Sequence, residues 1–190
     1  MYGALLDSCV LVPNALCDTL LRLAERDFFR PRWSRRILDE TFWALRRVHP
    51  ELAEDRLARR LQVMDATFED AIVEGWEPLA AGLDLPDDDD RHVLAAAIRG
   101  GAQVIVTFNT KDFPVDRLAS SGVSVAHPDE FLLDQLDLHP GLVRQVLVEQ
   151  ATALRNPPTD LAGVLNRLER CQVPEFAHAV RLLDTPGGAV

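Results

Sequence analysis

The chain has 190 residues, of which 47% are hydrophobic, and it carries a formal net charge of -10. This length is enough to bury the core of one domain and leaves room for a small appended unit. Its three cysteines are scattered and form no CxxC pair, which argues against a disulfide scaffold or a cysteine zinc site. No segment approaches the ~18 apolar residues of a membrane span and no basic leader is present, so we expect a soluble cytoplasmic protein without a membrane partner.

The charges are segregated along the chain. Residues 22–60 contain eleven arginines and seven acidic residues, whereas residues 61–90 contain ten acidic residues and no basic one. Lys111 is the only lysine, so almost every positive charge is a guanidinium, which binds phosphate in a bidentate way. This distribution fits a basic surface beside an acidic metal pocket, and it equally fits an arginine-rich helix face that is only solvated.

The beginning of the chain predicts a strand followed by a helix. Residues 2–6 form a short apolar run that predicts a buried strand, and Asp7 stands directly after it. In parallel α/β sheets ligands gather beyond the carboxyl ends of the strands, so Asp7 is well placed for chemistry. A helix is expected from Pro13 to residue 24.

Two further helices are predicted before residue 70. Ser34 is the expected N-cap of a helix that extends to residue 48, with Glu40 on its inner side. The next helix, at residues 51–67, is the most basic stretch of the chain, and its outer side carries Arg56, Arg59 and Arg60, which are candidates for binding phosphate groups.

An aspartate-rich segment leads into an alanine-rich helix in the middle of the chain. Residues 87–90 are four aspartates that complement a helix N-terminus, and Gly100 and Gly101 end that helix. The other elements expected here are strands at 71–73, 103–107 and 123–125, a turn at 109–113 and a short helix at 115–119. Alternating strands and helices indicate an α/β fold with a central parallel sheet.

The strand signals end near residue 128. Asp129 is a candidate cap for a helix to residue 138, and three proline-led helical patterns begin near Pro140, Pro158 and Pro174. We therefore divide the chain into an α/β domain at residues 1–128 and an all-helical C-terminal extension at residues 129–190, which ends in a frayed TPGGAV terminus.

Acidic residues recur along the chain at the predicted strand ends and helix starts, and this placement indicates a hard metal ion. Carboxylates at strand ends and helix starts repel one another in a low dielectric, so their coexistence requires a cation between them. Oxygen-only ligands suit Mg²⁺ or Mn²⁺.

The acidic motifs occur in the order strand-Asp, helix-Glu, Asp-led helix and strand-Thr-x-Asn. In this order the chain resembles the PIN domain family. These are metal-dependent ribonucleases that include the VapC toxins of bacterial toxin–antitoxin pairs. The resemblance covers residues 2–127 and is carried by LLDSCVLVP, ILDE, DDRHVLAAAI and VTFNTKDFP. It implies a three-layer sandwich around a parallel sheet, with carboxylates at one end of the sheet holding one or two Mg²⁺ or Mn²⁺ ions.

The resemblance also assigns the site residues. It implies that Asp7, Glu40 and Asp90 are the metal ligands, and that Asn109 and Asp112 complete the catalytic rim. Asn109 stands where many members carry Asp. The supporting residues are charges beside the third position and donors that orient the carboxylates, namely Asp87, Asp89, Ser8 and Thr107.

Two kinds of aromatic residue near these motifs have a structural interpretation. We interpret His92, inside the alanine-rich helix, as a packing histidine whose ring is satisfied, with a general base as the alternative. We interpret Trp33, Trp43 and Trp76 as core or interface residues, with base stacking as the alternative.

The expected function is that of a metal-dependent endoribonuclease, the toxin of a type II toxin–antitoxin system, which leaves a 5′-phosphate and a 3′-hydroxyl. The expected partners are RNA, a cognate VapB-like antitoxin, and further copies in a homodimer or a toxin–antitoxin hetero-oligomer. One alternative is a receiver-like phosphoacceptor regulator that uses Lys111, although paired acids after the first strand are absent and Glu40 would have no role. A catalytically inactive PIN-like module that binds RNA or protein is the other alternative, and the presence of all three core acids argues against it.

Overall fold

The computed structural model describes residues 2–155 and 157–183, and these residues form two compact units. The first unit contains the residues up to Val12 together with Phe29–Ala126. The second contains Pro13–Phe28 together with the residues from His127 onward. None of the described helices combines the length and the apolar character needed to cross a membrane.

The first unit is an α/β sandwich around a parallel sheet. Its strands are β1 (Gly3–Leu6), β2 (Arg30–Ser34), β3 (Ile72–Val73), β4 (Ala102–Val106) and β5 (Ser124–Ala126), in the spatial order β3-β2-β1-β4-β5. Its helices are α1 (Ser8–Leu11), α3 (Arg35–Val48), α4 (Glu54–Thr67), α5 (Glu77–Ala80), α6 (Arg91–Arg99) and α7 (Val115–Leu118), and 3-10 turns lie at Asp88–Asp90 and Thr110–Asp112. The predicted parallel α/β fold is confirmed.

Strand β1 is the centre of the sheet and is buried along its whole length. It pairs in parallel with β2 on one side and with β4 on the other, with Leu5 opposite Arg32 and Ile105. Helix α6 contacts β1, β2 and β4 through its alanine-rich face. Because β1 and β4 run in the same direction, the residues that follow them meet at one edge of the sheet.

Strand β2 was not predicted from the sequence. Its residues read RPRWS, and two arginines and a proline conceal the apolar pattern of a buried strand. In the structure Pro31 and Trp33 are buried, while the guanidinium of Arg32 donates hydrogen bonds to the carbonyl oxygens of Gly100 and Asp70. The arginine stem thus lies along the sheet and its charged end leaves the core.

Helix α3 follows the prediction, and α4 begins later than expected. The Ser34 hydroxyl accepts a hydrogen bond of 3.2 Å from the backbone N–H of Ile37, as an N-cap does. Helix α4 begins at Glu54 rather than at residue 51, and it has no side-chain cap.

The second unit is all helical. It consists of α2 (Asn14–Glu25), α8 (Pro128–Leu138), α9 (Pro140–Ala153), α10 (Leu161–Arg170) and α11 (Pro174–Leu183). Helix α2 contacts α9 and α10, so residues 13–28 belong with the C-terminal helices, whereas the sequence analysis had placed them in the α/β domain. The predicted C-terminal helical region is confirmed, and the TPGGAV terminus lies outside the described residues.

Asp129 does not cap its own helix, and that prediction is wrong. The ring of His127 accepts the hydrogen bond from the backbone N–H of Asp129 at the start of α8. The buried Asp129 carboxylate instead accepts from the backbone N–H groups of Glu175 and Phe176, at 3.1 and 2.8 Å. It therefore caps the first turn of α11, a helix 46 residues further along the chain.

Candidate active site

Asp7 is a buried carboxylate at the carboxyl end of β1, with only 5% of its surface exposed. It is the N-cap of the short helix α1, and its Oδ1 accepts a hydrogen bond of 2.6 Å from the backbone N–H of Ser8. Its Oδ2 accepts from the Thr107 hydroxyl at 2.7 Å and from the Cys9 thiol at 3.2 Å. Three protein donors therefore fix the orientation of this carboxylate.

Thr107 joins the ends of β4 and β1. Its hydroxyl donates to Asp7 and accepts a hydrogen bond of 3.1 Å from the backbone N–H of Asn109. Burial and the charge of Asp7 raise the pKa of the Cys9 thiol to about 12, so the thiol keeps its proton and acts as a donor. The structure thus places Ser8 and Thr107 beside Asp7, although Ser8 contributes its backbone N–H.

Asp90 lies at the start of α6, where burial and then the charges of Asp7, Asp112 and Asp87 raise its pKa to about 6. His92 acts in the opposite direction and with a smaller effect. Both burial and like charges disfavour the ionised carboxylate, and the nearby His92 does not offset them. The chain therefore brings three of the predicted acids, Asp7, Asp90 and Asp112, into one electrostatic cluster.

The remaining acids of the predicted set lie around this cluster. Asp87 caps the 3-10 turn by accepting from the backbone N–H of Asp89 at 2.9 Å. The Asp89 side chain is 92% exposed and stands 3.7 Å from the Arg36 guanidinium. Asn109 is exposed, and Asp112 is half-buried at the end of the turn that follows β4.

Glu40 is held by a histidine and an arginine. Its Oε1 lies 3.0 Å from Nε2 of His92 and accepts a hydrogen bond of 3.1 Å from Nε of Arg36. Burial opposes ionisation of Glu40, but the hydrogen bonds and charges of His92 and Arg36 together hold its pKa below the ordinary value. Glu40 is consequently a carboxylate at neutral pH.

His92 is buried as predicted, but its ring is only partly hydrogen-bonded. Its ring is only 3% exposed and contacts Trp76 with 5.8 Å between ring centroids. Its Nδ1 is buried and has no hydrogen-bond partner among the described residues, so the ring is not the satisfied packing group that was expected. The pairing with Glu40 joins two helices 52 residues apart in sequence, and no local pattern signals it.

The chemistry of these donors fits a hard divalent cation. The three candidate ligands Asp7, Glu40 and Asp90 are all carboxylates, and the pKa of Asp90 is raised first by burial and then by neighbouring negative charges that a cation would offset. In their present orientations the described His, Cys, Asp and Glu side chains form no group of three or more that could hold a metal ion. One carboxylate of the predicted trio, Glu40, is turned toward His92 and Arg36.

The three candidate RNA-binding arginines of α4 do not form one solvated face. Arg56 and Arg59 are exposed. Arg60 is half-buried, and its guanidinium donates a hydrogen bond of 2.7 Å to the backbone carbonyl of Leu11. Arg60 therefore ties α4 to the end of α1, which is a structural role.

A family described as "PIN domain" matches residues 3–111, more than half of the chain, and one described as "VapC50 C-terminal domain" matches residues 128–182. "Putative ribonuclease VapC50" from Mycobacterium tuberculosis (strain ATCC 25618 / H37Rv) is 46% identical over 98 residues, covering 52% of this chain and 57% of that protein. No solved structure matches at a significant level. From the match over residues 3–111, the chain belongs to the PIN domain family.

Proposed function

We propose that this protein is a metal-dependent endoribonuclease and the toxin of a type II toxin–antitoxin pair. The observation that carries the proposal is the crowding of Asp7, Asp90 and Asp112 beyond the ends of β1 and β4, with the pKa of Asp90 raised to about 6. Membership of the PIN domain family and the similarity to a protein named a ribonuclease support it. The receiver-like alternative is set aside because the chain belongs to another family.

We propose that Mg²⁺ or Mn²⁺ is held by Asp7, Glu40 and Asp90. Asn109 and Asp112 lie at the rim of this site. Such an ion, when bound, polarises a phosphoryl oxygen and lowers the pKa of a water. Asp87 and Asp89 add negative charge beside Asp90.

The surrounding residues prepare the carboxylates for this task. Thr107 and the backbone N–H of Ser8 fix the two oxygens of Asp7, so that little reorientation is required when a ligand arrives. His92 and Arg36 keep Glu40 ionised. We propose that Glu40, or whichever carboxylate is not fully committed to the ion, accepts a proton from the attacking water. The expected products carry a 5′-phosphate and a 3′-hydroxyl.

The proposed biological setting is supported by the 46% identity to VapC50 over 98 residues and by the match of residues 128–182 to the VapC50 C-terminal domain. We propose RNA as the substrate, a VapB-like antitoxin as the inhibitor, and a homodimer or a toxin–antitoxin hetero-oligomer in the cytoplasm as the assembly. The division into a nuclease domain at residues 1–128 and a helical extension at residues 129–190 that adjusts partner choice is part of this proposal.

The test is cleavage of a synthetic single-stranded RNA by the full chain in Mn²⁺, in Mg²⁺ and in EDTA. We expect internal cleavage with either metal, none in EDTA, and fragments whose new 5′ ends are ligated without prior phosphorylation. RNA binding without cleavage under every metal condition would contradict the nuclease and favour the inactive binding module.

A further inference from the structure

Trp43 is the most exposed of the three tryptophans. Its exposed fraction is 63%, whereas Trp33 is completely buried in the sheet and Trp76 is half-buried against His92. The indole of Trp43 contacts Phe42 edge to face, with 5.4 Å between the ring centroids. The interpretation of Trp43 as a core residue is therefore wrong, and its large apolar ring faces solvent.

Trp43 shares one face of α3 with Glu40. Residues 36, 40, 43 and 47 are separated by four, three and four positions, which places them in one stripe along the helix. The hydrogen bond between Arg36 and Glu40 confirms the spacing at the start of this stripe. At ~1.5 Å of rise per residue, Trp43 lies about 4.5 Å and Arg47 about 10.5 Å beyond Glu40 along the helix axis.

Arg47 differs from the other arginines of α3 in having no acidic partner. Arg35, Arg36 and Arg46 each form an ion pair, with Asp65, Glu40 and Glu54 respectively. Arg47 is exposed and makes no side-chain hydrogen bond or ion pair with any residue in the described part of the chain. Its guanidinium is therefore free to bind an external anion.

We propose that this stripe of α3 is a subsite for single-stranded RNA, in which a base stacks on the Trp43 indole and a nearby phosphate is bound by Arg47. The inference rests on the proposed nuclease function, because the stripe includes Glu40, one of the proposed metal ligands. An exposed aromatic ring beside a free guanidinium is the combination that binds unpaired nucleotides by stacking and charge. The subsite leads the strand toward the acidic cluster and makes Trp43 and Arg47 positioning residues.

The composition of the stripe favours RNA over a protein helix. An amphipathic partner helix is recognised by apolar anchors that recur at positions i, i+3 or i+4, and i+7. Here the single aromatic residue stands between Glu40 on one side and Arg47 on the other, so no continuous apolar seam exists. The exposed Asp39 lies about 100° around the helix from Glu40 and outside the stripe.

The test uses the full chain and a fluorescein-labelled 12-nucleotide single-stranded RNA of mixed sequence in EDTA. Fluorescence anisotropy measures affinity, and tryptophan emission reports stacking. We expect RNA to quench tryptophan emission, and Trp43→Ala to weaken binding about 5- to 150-fold, the range measured for base–aromatic stacking. Trp43→Phe keeps a stacking ring and should bind within about threefold of the wild type. Val115→Ala, which trims a side chain that is 79% exposed on α7, is the matched control and should change nothing.

A second readout separates positioning from stability. With Mn²⁺ present, Trp43→Ala and Arg47→Ala should raise KM while kcat stays within about threefold, because both remove binding that precedes the chemical step. Arg47→Lys should recover only part of the affinity, since an ammonium ion does not bind phosphate in the bidentate way of a guanidinium.

The outcomes distinguish this inference from the proposed function. If the wild type binds and cleaves RNA but Trp43→Ala binds equally well, the subsite is wrong. A Trp43→Ala variant that binds RNA normally but loses self-association would reassign the stripe to an interface between copies. If Trp43→Ala binds RNA more weakly than the wild type but the wild type never cleaves RNA, the subsite stands and the nuclease function fails. Absence of RNA binding by the wild type would overturn both.

Discussion

Asp7 and Asp129 are the two buried aspartates in the described part of the chain, and their surroundings are opposite. Asp129 is 8% exposed, and both of its oxygens accept backbone N–H groups at the start of α11. The partial positive charge of that helix end accounts for its burial. Asp7 receives hydrogen bonds as well, but its charge also acts on Asp90, on which the charge of Asp112 acts too.

Asp129 has a complete structural explanation, whereas the position of Asp7 beside other acids does not. Hydrogen bonds from a helix N-terminus explain Asp129 without any ligand. They do not explain why the chain gathers Asp7, Asp90 and Asp112 at one edge of the sheet, where the repulsion destabilises the folded state. A site that is unfavourable without a cation is an indication of function, whereas burial alone is not.

The largest effect is expected when a carboxylate of the cluster is neutralised. Asp90→Asn should reduce RNA cleavage in saturating Mn²⁺ by more than the ~10- to 100-fold that is typical of residues outside the metal ligands. The matched control is Asp129→Asn, which removes the same charge from the second unit and should retain normal turnover per folded molecule. Near wild-type cleavage by Asp90→Asn would remove Asp90 from the active site.

Removal of the hydroxyl that orients Asp7 should have a smaller effect. Thr107→Val keeps the shape of the side chain but deletes the 2.7 Å hydrogen bond to Asp7, so we expect a ~10- to 100-fold loss of metal affinity or cleavage. Thr107→Ser restores the donor and should recover most of the activity. Equal activity of the valine and serine variants would show that this hydrogen bond is only structural.

The contrasting substitution in the second unit should affect stability. Asp129→Ala leaves the buried N–H groups at the start of α11 without their acceptor, and we expect it to lower the free energy of unfolding by about 1–3 kcal/mol. Urea denaturation measures the loss, with Asp160→Ala as a comparison because Asp160 caps α10 at an exposed site. A larger loss from Asp160→Ala than from Asp129→Ala would contradict this account of the buried cap.

The stability of the metal-free protein should depend on pH through Asp90. Its pKa is raised from 3.8 to about 6 in the folded state, so the folded protein binds more protons than the unfolded chain between these values. Its contribution to the free energy of unfolding is therefore present below about pH 4 and is lost as the pH rises to about 6. Denaturation in EDTA should show that Asp90→Asn abolishes this decline and is more stable than the wild type at pH 7. An unchanged pH slope in the variant would show that Asp90 is not under strain.

The smallest effect is expected at the exposed arginines of α4. If Arg56 and Arg59 bind phosphates, their joint replacement by Ala should reduce the salt slope of RNA binding by about 0.7 for each phosphate that is no longer neutralised. Arg60→Ala should instead lower stability, since its guanidinium bonds to the Leu11 carbonyl. An unchanged salt slope would leave Arg56 and Arg59 as a solvated face.

Local signals account for the parts of the fold that the sequence predicted correctly. The apolar runs before Asp7 and Asn109 are strands, and the N-cap of Ser34 and the glycines after Arg99 mark helix ends as expected. Strand β2 could not be predicted, because the burial of Trp33 depends on neighbours that are distant in sequence. The grouping of α2 with the C-terminal helices is likewise a tertiary contact that no local pattern encodes.

Local sequence patterns also predict only part of the candidate site. The resemblance carried by the order of the acids included Asp7, Asp90 and Asp112 among the predicted site residues, and in the structure the charges of Asp7 and Asp112 both act on Asp90. The Glu40–His92 pair, the free guanidinium of Arg47 and the structural role of Arg60 depend on side-chain partners across the fold. The packing of α2 against α9 and α10 also means that truncation after residue 129 exposes the apolar face of α2, so point substitutions test the site more cleanly.

The most direct test of the central claim is a calorimetric titration of Mn²⁺ into the full chain and into three variants of equal charge change. The wild type and Asp129→Asn should bind Mn²⁺ with the same affinity and stoichiometry, whereas Asp7→Asn and Asp90→Asn should lose measurable binding. Circular dichroism and urea denaturation would verify that each variant is folded. If all four proteins bind Mn²⁺ equally, or if none of them binds it, the acidic cluster is not a metal site and the account is wrong.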